Sequence, residues 1–279
     1  MGRSLAALLT LAVALATAPA SYAQEKWVEG RHYFLVTPQQ RTSVPAGKVE
    51  VMEVFSYGCP ACNQFNAVAK KLKASLPPNA QFVYLPAAFN AAEDWPMFQR
   101  AYFAALALGI SEKTHDAMFD SIWRGGELSI QDPAARRLKN PLPSIEDAAK
   151  FYARVGGVKA QDFLAAAKSF GTEVKIKNAD AYIFAAHVDQ TPTIIVNGKY
   201  RITASSAGGY DQIIELTNYL VAKESRGTAA ATAPTTQNSG SAAKPAATAA
   251  AKPGAASTSS AAKQTASAAA KPSGAPAPK

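Results

Sequence analysis

The chain has 279 residues, 48% of them hydrophobic, a formal charge of +9 and only two cysteines. Two thiols fall short of the four ligands of a structural zinc site, and a pair three residues apart closes too short a loop to staple a fold. The charge does not mark a nucleic-acid binder. Five lysines lie in an acid-free C-terminal stretch and one arginine lies at the N-terminus, so about +3 is left to everything between.

The first 23 residues read as a signal peptide: Arg3, an apolar run from Leu5 to about Ala18, then Ser21-Tyr22-Ala23. The run is shorter than the roughly 20 residues that span a bilayer. Cleavage is expected after Ala23, with Gln24 as the mature start, and export leads to an oxidising space. Arg31–Thr37 reads as a short strand and Lys48–Ser56 as a stronger one, with Val49, Val51 and either or both of Val54 and Phe55 buried. A helix follows on which Cys62, Phe65, Val68 or Ala69, Leu72 and Leu76 recur, until Pro77-Pro78 stops it. Ala80–Pro86 is the next strand.

From about Glu93 to Phe170 only helical patterns are visible. Phe98, Tyr102 and Leu106 are spaced by four, Met118, Ile122 and Trp123 follow Gly109, and Ser144 with Asp147 looks like a helix start. Phe151, Tyr152 and Val155 lead to Gly156-Gly157, and Gln161–Phe170 is a further short helix. A longer one runs from Thr172 to about Ala186, with Val174, Ala179, Tyr182, Ile183 and Ala186 available to one side. Thr193–Val196, Asn197-Gly198 and Lys199–Ile202 form a hairpin signal. A closing helix, Gly208 to Lys223, carries Tyr210, Ile213, Ile214, Thr217, Leu220 and Val221 on one face. Beyond Gly227 there is no aromatic residue and no Leu, Ile, Val or Met. That stretch cannot offset its chain entropy and is expected to be disordered, a spacing or solubilising appendage rather than an electrostatic adhesive.

The expected organisation is therefore a signal peptide (1–23), a first α/β part (24–92), a helical insertion (93–170), a second α/β part (171–226) and a tail (227–279). Strand–helix–strand, helical insertion, hairpin and helix make the layout of an α/β thioredoxin fold with an inserted all-helical domain.

Gly58-Cys59-Pro60-Ala61-Cys62 carries the chemistry. Cys59 should sit where a helix begins, so that unpaired N–H groups favour its thiolate. Pro60 suits the first helical turn, where no N–H is needed. Cys62, one turn on, faces inward with Phe65. Cys59 is then the exposed attacker and Cys62 the shielded resolver, with no cofactor beyond the redox-active Cys59–Cys62 disulfide. The histidines His32, His115 and His187 lie in different elements without a ligand pattern and are expected to be ordinary surface or packed residues. Trp95, Trp123, Phe98 and Tyr102 suit the core of the insertion.

The run Glu53-Val54-Phe55-Ser56-Tyr57-Gly58-Cys59-Pro60-Ala61-Cys62-Asn63-Gln64-Phe65 resembles the active site of the DsbA family of periplasmic thiol:disulfide oxidoreductases. Thr191-Pro192-Thr193, leading into Val196-Asn197-Gly198-Lys199-Tyr200, is the second match, and the similarity covers Gln24 to Arg226. The resemblance implies a periplasmic monomer that introduces disulfides into unfolded exported polypeptides and is reoxidised by a DsbB-type membrane protein passing electrons to quinone. It implies that Glu53 is a buried acid exchanging a proton with Cys62. It also implies a cis Pro192 facing the disulfide, a choice between cis and trans that the residues alone leave open, and a Thr191 backbone offered to an extended substrate. Uncharged surroundings such as Tyr57, Ala61 and the Thr191 backbone would suit chains of many sequences. The rival readings are a reductase or isomerase on the same scaffold, and an envelope chaperone or binding protein with incidental cysteines.

Two departures from the family pattern stand out. The next strand offers Tyr84, Leu85 and Pro86 where relatives often carry a lysine, and the dipeptide between the cysteines is Pro-Ala where well-known members have Pro-His. Ala61 supplies neither a hydrogen-bond donor nor a charge to a neighbouring thiolate. An Ala61→His variant should therefore titrate Cys59 at lower pH than the parent by thiolate absorbance, and be the stronger oxidant; an unchanged titration would refute this.

Overall fold

The computed structural model describes residues 25–132 and 134–232. The expected signal peptide and nearly all of the expected tail lie outside the described residues. In chain order the elements are β1 (Phe34–Leu35), β2 (Val49–Phe55), α1 (Pro60–Ser75), β3 (Ala80–Pro86), a 3-10 turn (Ala91–Glu93), α2 (Trp95–Ala107), α3 (Ser111–Trp123), β4 (Gln131–Asp132), β5 (Arg137–Leu138), α4 (Ile145–Gly156), α5 (Ala160–Ala167), α6 (Phe170–Ala185), β6 (Thr193–Val196), β7 (Tyr200–Thr203), α7 (Ala204–Ala207) and α8 (Tyr210–Thr232).

Five strands form one sheet in the order β1-β7-β6-β2-β3. β2 runs parallel to β3 and antiparallel to β6. All seven residues of β2 are buried, as a central strand covered on both faces requires. Its side chains alternate. Val49 and Val51 join Phe65, Ala69 and Leu72 of α1 and Ile213, Leu216 and Leu220 of α8. Met52 and Val54 join Ile183 and Ala186 on the opposite face. The third apolar cluster fills the helical insertion and includes Phe55, Tyr57, Cys59 and Cys62. The insertion therefore shares its core with the cysteine loop.

Several elements differ from their expected bounds. The first strand shrinks to two residues because its neighbours spend their hydrogen bonds locally: the His32 N–H bonds the Val28 carbonyl and the Gly30 N–H that of Tyr33. Only Phe34 and Leu35 remain to pair with β7. The insertion is helical apart from the two-stranded β4–β5 ribbon, whose strands are too short to show any periodicity. On α6, Val174 faces outward rather than joining Ala179 and Ile183. The closing helix continues through Gly227 to Thr232, past both its expected end and the expected start of the tail. Alanine at 229–231 is the residue type most favourable to continuing a helix.

The β6–β7 turn fixes the strand pair that carries Pro192. Asn197 and Gly198 both take positive φ, 54° and 63°, as a two-residue hairpin of this hand demands. A Cβ on Gly198 would lie 2.2 Å from the Gln40 carbonyl oxygen, so only glycine fits. Leu216 of α8 is fully buried against the sheet. Leu216→Ala should cost about 2–5 kcal/mol in urea unfolding, whereas a loss below about 1 kcal/mol would mean that α8 is not part of the core.

Candidate active site

β2 ends at Phe55, and the chain turns through Ser56-Tyr57-Gly58 into α1 with Cys59 as the N-cap residue. Cys59 holds extended backbone angles, φ −87° and ψ 119°, and Pro60 opens the helix where no donor is needed. The Cys62 N–H, one of the helix's unpaired donors, points at the Cys59 sulfur at 3.4 Å. The Cys59 thiol in turn donates to the Thr191 carbonyl at 3.4 Å. The Thr191–Pro192 bond is cis, and Pro192 enters β6 buried. Both cysteines are free thiols.

Neither sulfur lies open to solvent. Cys59, expected to be exposed, is 5% accessible, and Cys62 is not accessible at all, because the insertion's core closes over the loop. The two are set apart by acidity. The Cys62 thiol, hydrogen-bonded to Cys59, draws the Cys59 pKa down to about 6. Burial opposes that pull, while the Thr191 hydroxyl and the N–H groups of Cys62 and Ala61 reinforce it. The leading cause of the lowering is thus the partner thiol, followed by the Thr191 side chain and only then by the N–H groups of the helix mouth. Cys62 is pushed well above the usual thiol range, first by burial, then by Cys59 and by Glu53. One sulfur is poised as thiolate and leaving group, the other as a bound thiol.

Glu53 is 2% accessible, in register with Tyr84 on β3 and Ile194 on β6. Its Oε2 has no hydrogen-bond partner. Burial, and secondarily the charge of Cys59, lift its pKa to about 8. Tyr84 carries no charge to balance it, and burial and Glu53 raise the Tyr84 phenol in turn. Glu53 therefore keeps its proton at neutral pH.

Three side chains of the insertion hold the loop before Cys59. Trp123 Nε1 donates to the Tyr57 carbonyl at 2.8 Å. The Tyr57 hydroxyl bonds His115 Nδ1 at 2.9 Å. Trp95 lies so close to Gly58 that a Cβ there would meet its ring at 2.6 Å. His115 packs against Phe55, Tyr84 and Phe119, and burial lowers its pKa to about 4, so it is neutral at ordinary pH. Tyr57, expected on the substrate-facing surface, is only 1% accessible. Its ring belongs to this floor, because Gly58 beside it admits Trp95. The surface beside the loop is instead formed by half-buried Ala61, whose carbonyl accepts from Tyr210 at 3.4 Å, and by Phe89, 46% exposed next to Trp95.

The sequence reading missed the Thr191 hydroxyl, buried without a hydrogen-bond partner, and the His115–Tyr57 bond. His115 shares a helix face with Phe119 and Ile122, an apolar spacing from which its burial could have been read. His32, away from the cysteines, accepts the N–H of Val28 four residues before it, and His187 closes α6 with φ 52°. Among the described residues no three His, Cys, Asp or Glu side chains gather as a metal site.

A family described as Thioredoxin matches residues 44–216. The chain is 31% identical over 218 residues to the thiol:disulfide interchange protein DsbA of Pseudomonas aeruginosa, covering 78% of this chain and 95% of that one. It is 33% identical over 202 residues to DsbA of Pseudomonas syringae pv. tomato, covering 72% and 86%. The crystal structure of Pseudomonas aeruginosa DsbA superimposes with a TM-score of 0.62 at 30% identity, over 74% of this chain and 98% of that one. The oxidoreductase DsbA from Xylella fastidiosa gives 0.61 at 33%, over 71% and 97%.

Glu53 makes a prediction with a definite sign. Its folded pKa of about 8 exceeds that of an unfolded glutamate, about 4.3. Between those values the folded chain keeps a proton that the unfolded chain has lost, so stability falls as pH rises. The reduced Glu53→Gln protein should gain on the parent across that window by up to about 1.4 kcal/mol per pH unit. Parallel urea-stability profiles from pH 4.5 to 8 would show that Glu53 is not held protonated.

Proposed function

The chain belongs to the DsbA family of thiol:disulfide interchange proteins and is a thiol:disulfide oxidoreductase, and from that premise we propose that it introduces disulfides into unfolded exported polypeptides through Cys59 and Cys62. The observation that carries this reading is the opposed acidity of the two sulfurs, Cys59 lowered to about 6 and Cys62 raised.

A substrate thiolate attacks the Cys59 sulfur of the oxidised enzyme. The Cys59–Cys62 bond breaks, and Cys62 leaves with the electron pair. Glu53, protonated at neutral pH, supplies the proton that Cys62 then holds. A second substrate thiolate attacks the substrate sulfur of the mixed disulfide, and Cys59 departs as a stable thiolate. The substrate gains one disulfide, and the enzyme keeps two electrons as its reduced pair. Pro60 starts the helix that stabilises the leaving sulfur, and Ala61 leaves the approach to it uncharged. Pro192 turns Thr191 toward the sulfur. In the oxidised enzyme Cys59 has no thiol proton to give, and the Thr191 carbonyl accepts an N–H of an extended substrate, as an added strand would.

On this reading the mature protein works as a monomer in the periplasm after loss of residues 1–23. A DsbB-type membrane protein reoxidises it and passes the electrons to quinone. The two sulfurs need no further redox group.

Catalytic amounts of the oxidised protein should refold a reduced multi-cysteine protein with native disulfides. Cys59→Ser should abolish turnover, and Cys62→Ser should accumulate a mixed disulfide at Cys59. Full activity in the Cys59→Ser protein would sink the proposal. Equilibration with glutathione separates the rival: a potential below about −200 mV assigns the scaffold to reduction instead.

A further inference from the structure

Away from the cysteines, α6 carries an unexplained surface. At 100° per residue Phe170, Val174, Lys177, Ala181 and Phe184 fall along one ridge, opposite the side that buries Thr172, Ala179 and Ile183. Phe170 is 83% and Phe184 85% exposed, more than any other large apolar side chain among the described residues, and Val174 is 37% exposed. The two rings stand about 21 Å apart along the helix. Single exposed apolar residues are ordinary, whereas a row of them marks a contact surface.

Charge decides which contact. A second copy of the chain would pair the ridges antiparallel about a two-fold axis, Phe170 over Phe184. That arrangement sets Lys177 against its own symmetry mate at the centre of the seam, where like charges repel. A lipid surface raises no such conflict. Phenylalanine rings enter the boundary between headgroups and acyl chains, while lysines on the same helix keep their ammonium groups among the phosphates. Lys175 and Lys177 are both exposed. Of the nearby carboxylates, Glu173 is paired with Arg100, and Asp180, which accepts from the Gln99 amide, leaves a single negative charge against the two lysines. Five lysines and no acid follow in the C-terminal sequence; composition alone favours a spacer there, but beside an apolar ridge the same charges add a second attraction to anionic lipid. No helix among the described residues is long and apolar enough to cross a membrane, so the contact is interfacial.

We propose that the Phe170–Phe184 ridge of α6 seats the protein on an anionic lipid bilayer, with the C-terminal lysines as an electrostatic second anchor. The full mature chain should sediment with vesicles containing phosphatidylglycerol and not with phosphatidylcholine alone, and high salt should weaken the binding. A Phe170→Ser, Phe184→Ser double variant, checked for folding by circular dichroism, should bind at least about fivefold more weakly. Its oxidative turnover in solution should be unchanged, since neither residue belongs to the site. Three results would overturn the proposal: no sedimentation of the parent chain, equal sedimentation of the double variant (attachment by the tail alone), or a dimer in analytical ultracentrifugation that the double variant dissolves (a ridge made for a second copy).

Discussion

Everything distinctive about this protein rests on the unequal acidity of two buried sulfur atoms one helical turn apart. Cys59 sits at the N-terminus of α1 with the Cys62 N–H, the Cys62 thiol and Thr191 turned toward it. Cys62 sits behind it with no access to water, near a carboxyl group that is itself buried. The same burial that raises Cys62 and Glu53 opposes the lowering of Cys59. Hydrogen bonds overcome it at the outer sulfur and fail to do so at the inner one. A difference of one pKa unit corresponds to about 1.4 kcal/mol, so an arrangement at bond-length scale sets a large chemical preference.

The insertion is the means by which that arrangement is held. A thioredoxin sheet places the end of β2 and the cis-Pro loop beside one another, and this is visible in the β2–β6 register, where Val54 faces Thr193. It does not by itself close the far side of the loop. Trp95 from α2 and His115 and Trp123 from α3 do that. One apolar cluster runs from these helices to both cysteines without interruption. The burial that separates the two sulfurs in acidity is thus partly supplied by residues outside the sheet.

Much of this was legible in the residues. The β2–α1–β3 unit could be read because period-two and period-3.6 apolar patterns switch at the cysteines and Pro77-Pro78 punctuates the end. The hairpin could be read because Asn-Gly has one strong use between apolar runs. Glu53 was placed in the interior by the family resemblance; the strand pattern does not single it out, since Glu50 on the same strand is buried as well. What escaped was set by tertiary contacts. The β4–β5 ribbon has two residues per strand and no pattern to find. Tyr57 was taken for a surface residue because an uncharged side chain beside the reactive loop would suit chains of many sequences, and only the closeness of Trp95 to Gly58 shows that the loop turns inward. Cys59 was taken as exposed because it opens the helix while Cys62, one turn on, faces inward; the core of the insertion covers both.

The contact between Cys59 and Thr191 joins residues 132 positions apart, and His115 and Trp123 also follow the cysteines in the chain. A polypeptide delivered N-terminus first presents both sulfurs long before any of these partners has emerged. During that interval the two thiols are chemically alike, open to water and to one another. The enzyme is in this sense its own first client: its sulfurs acquire their separate characters only when the last third of the chain arrives to surround them.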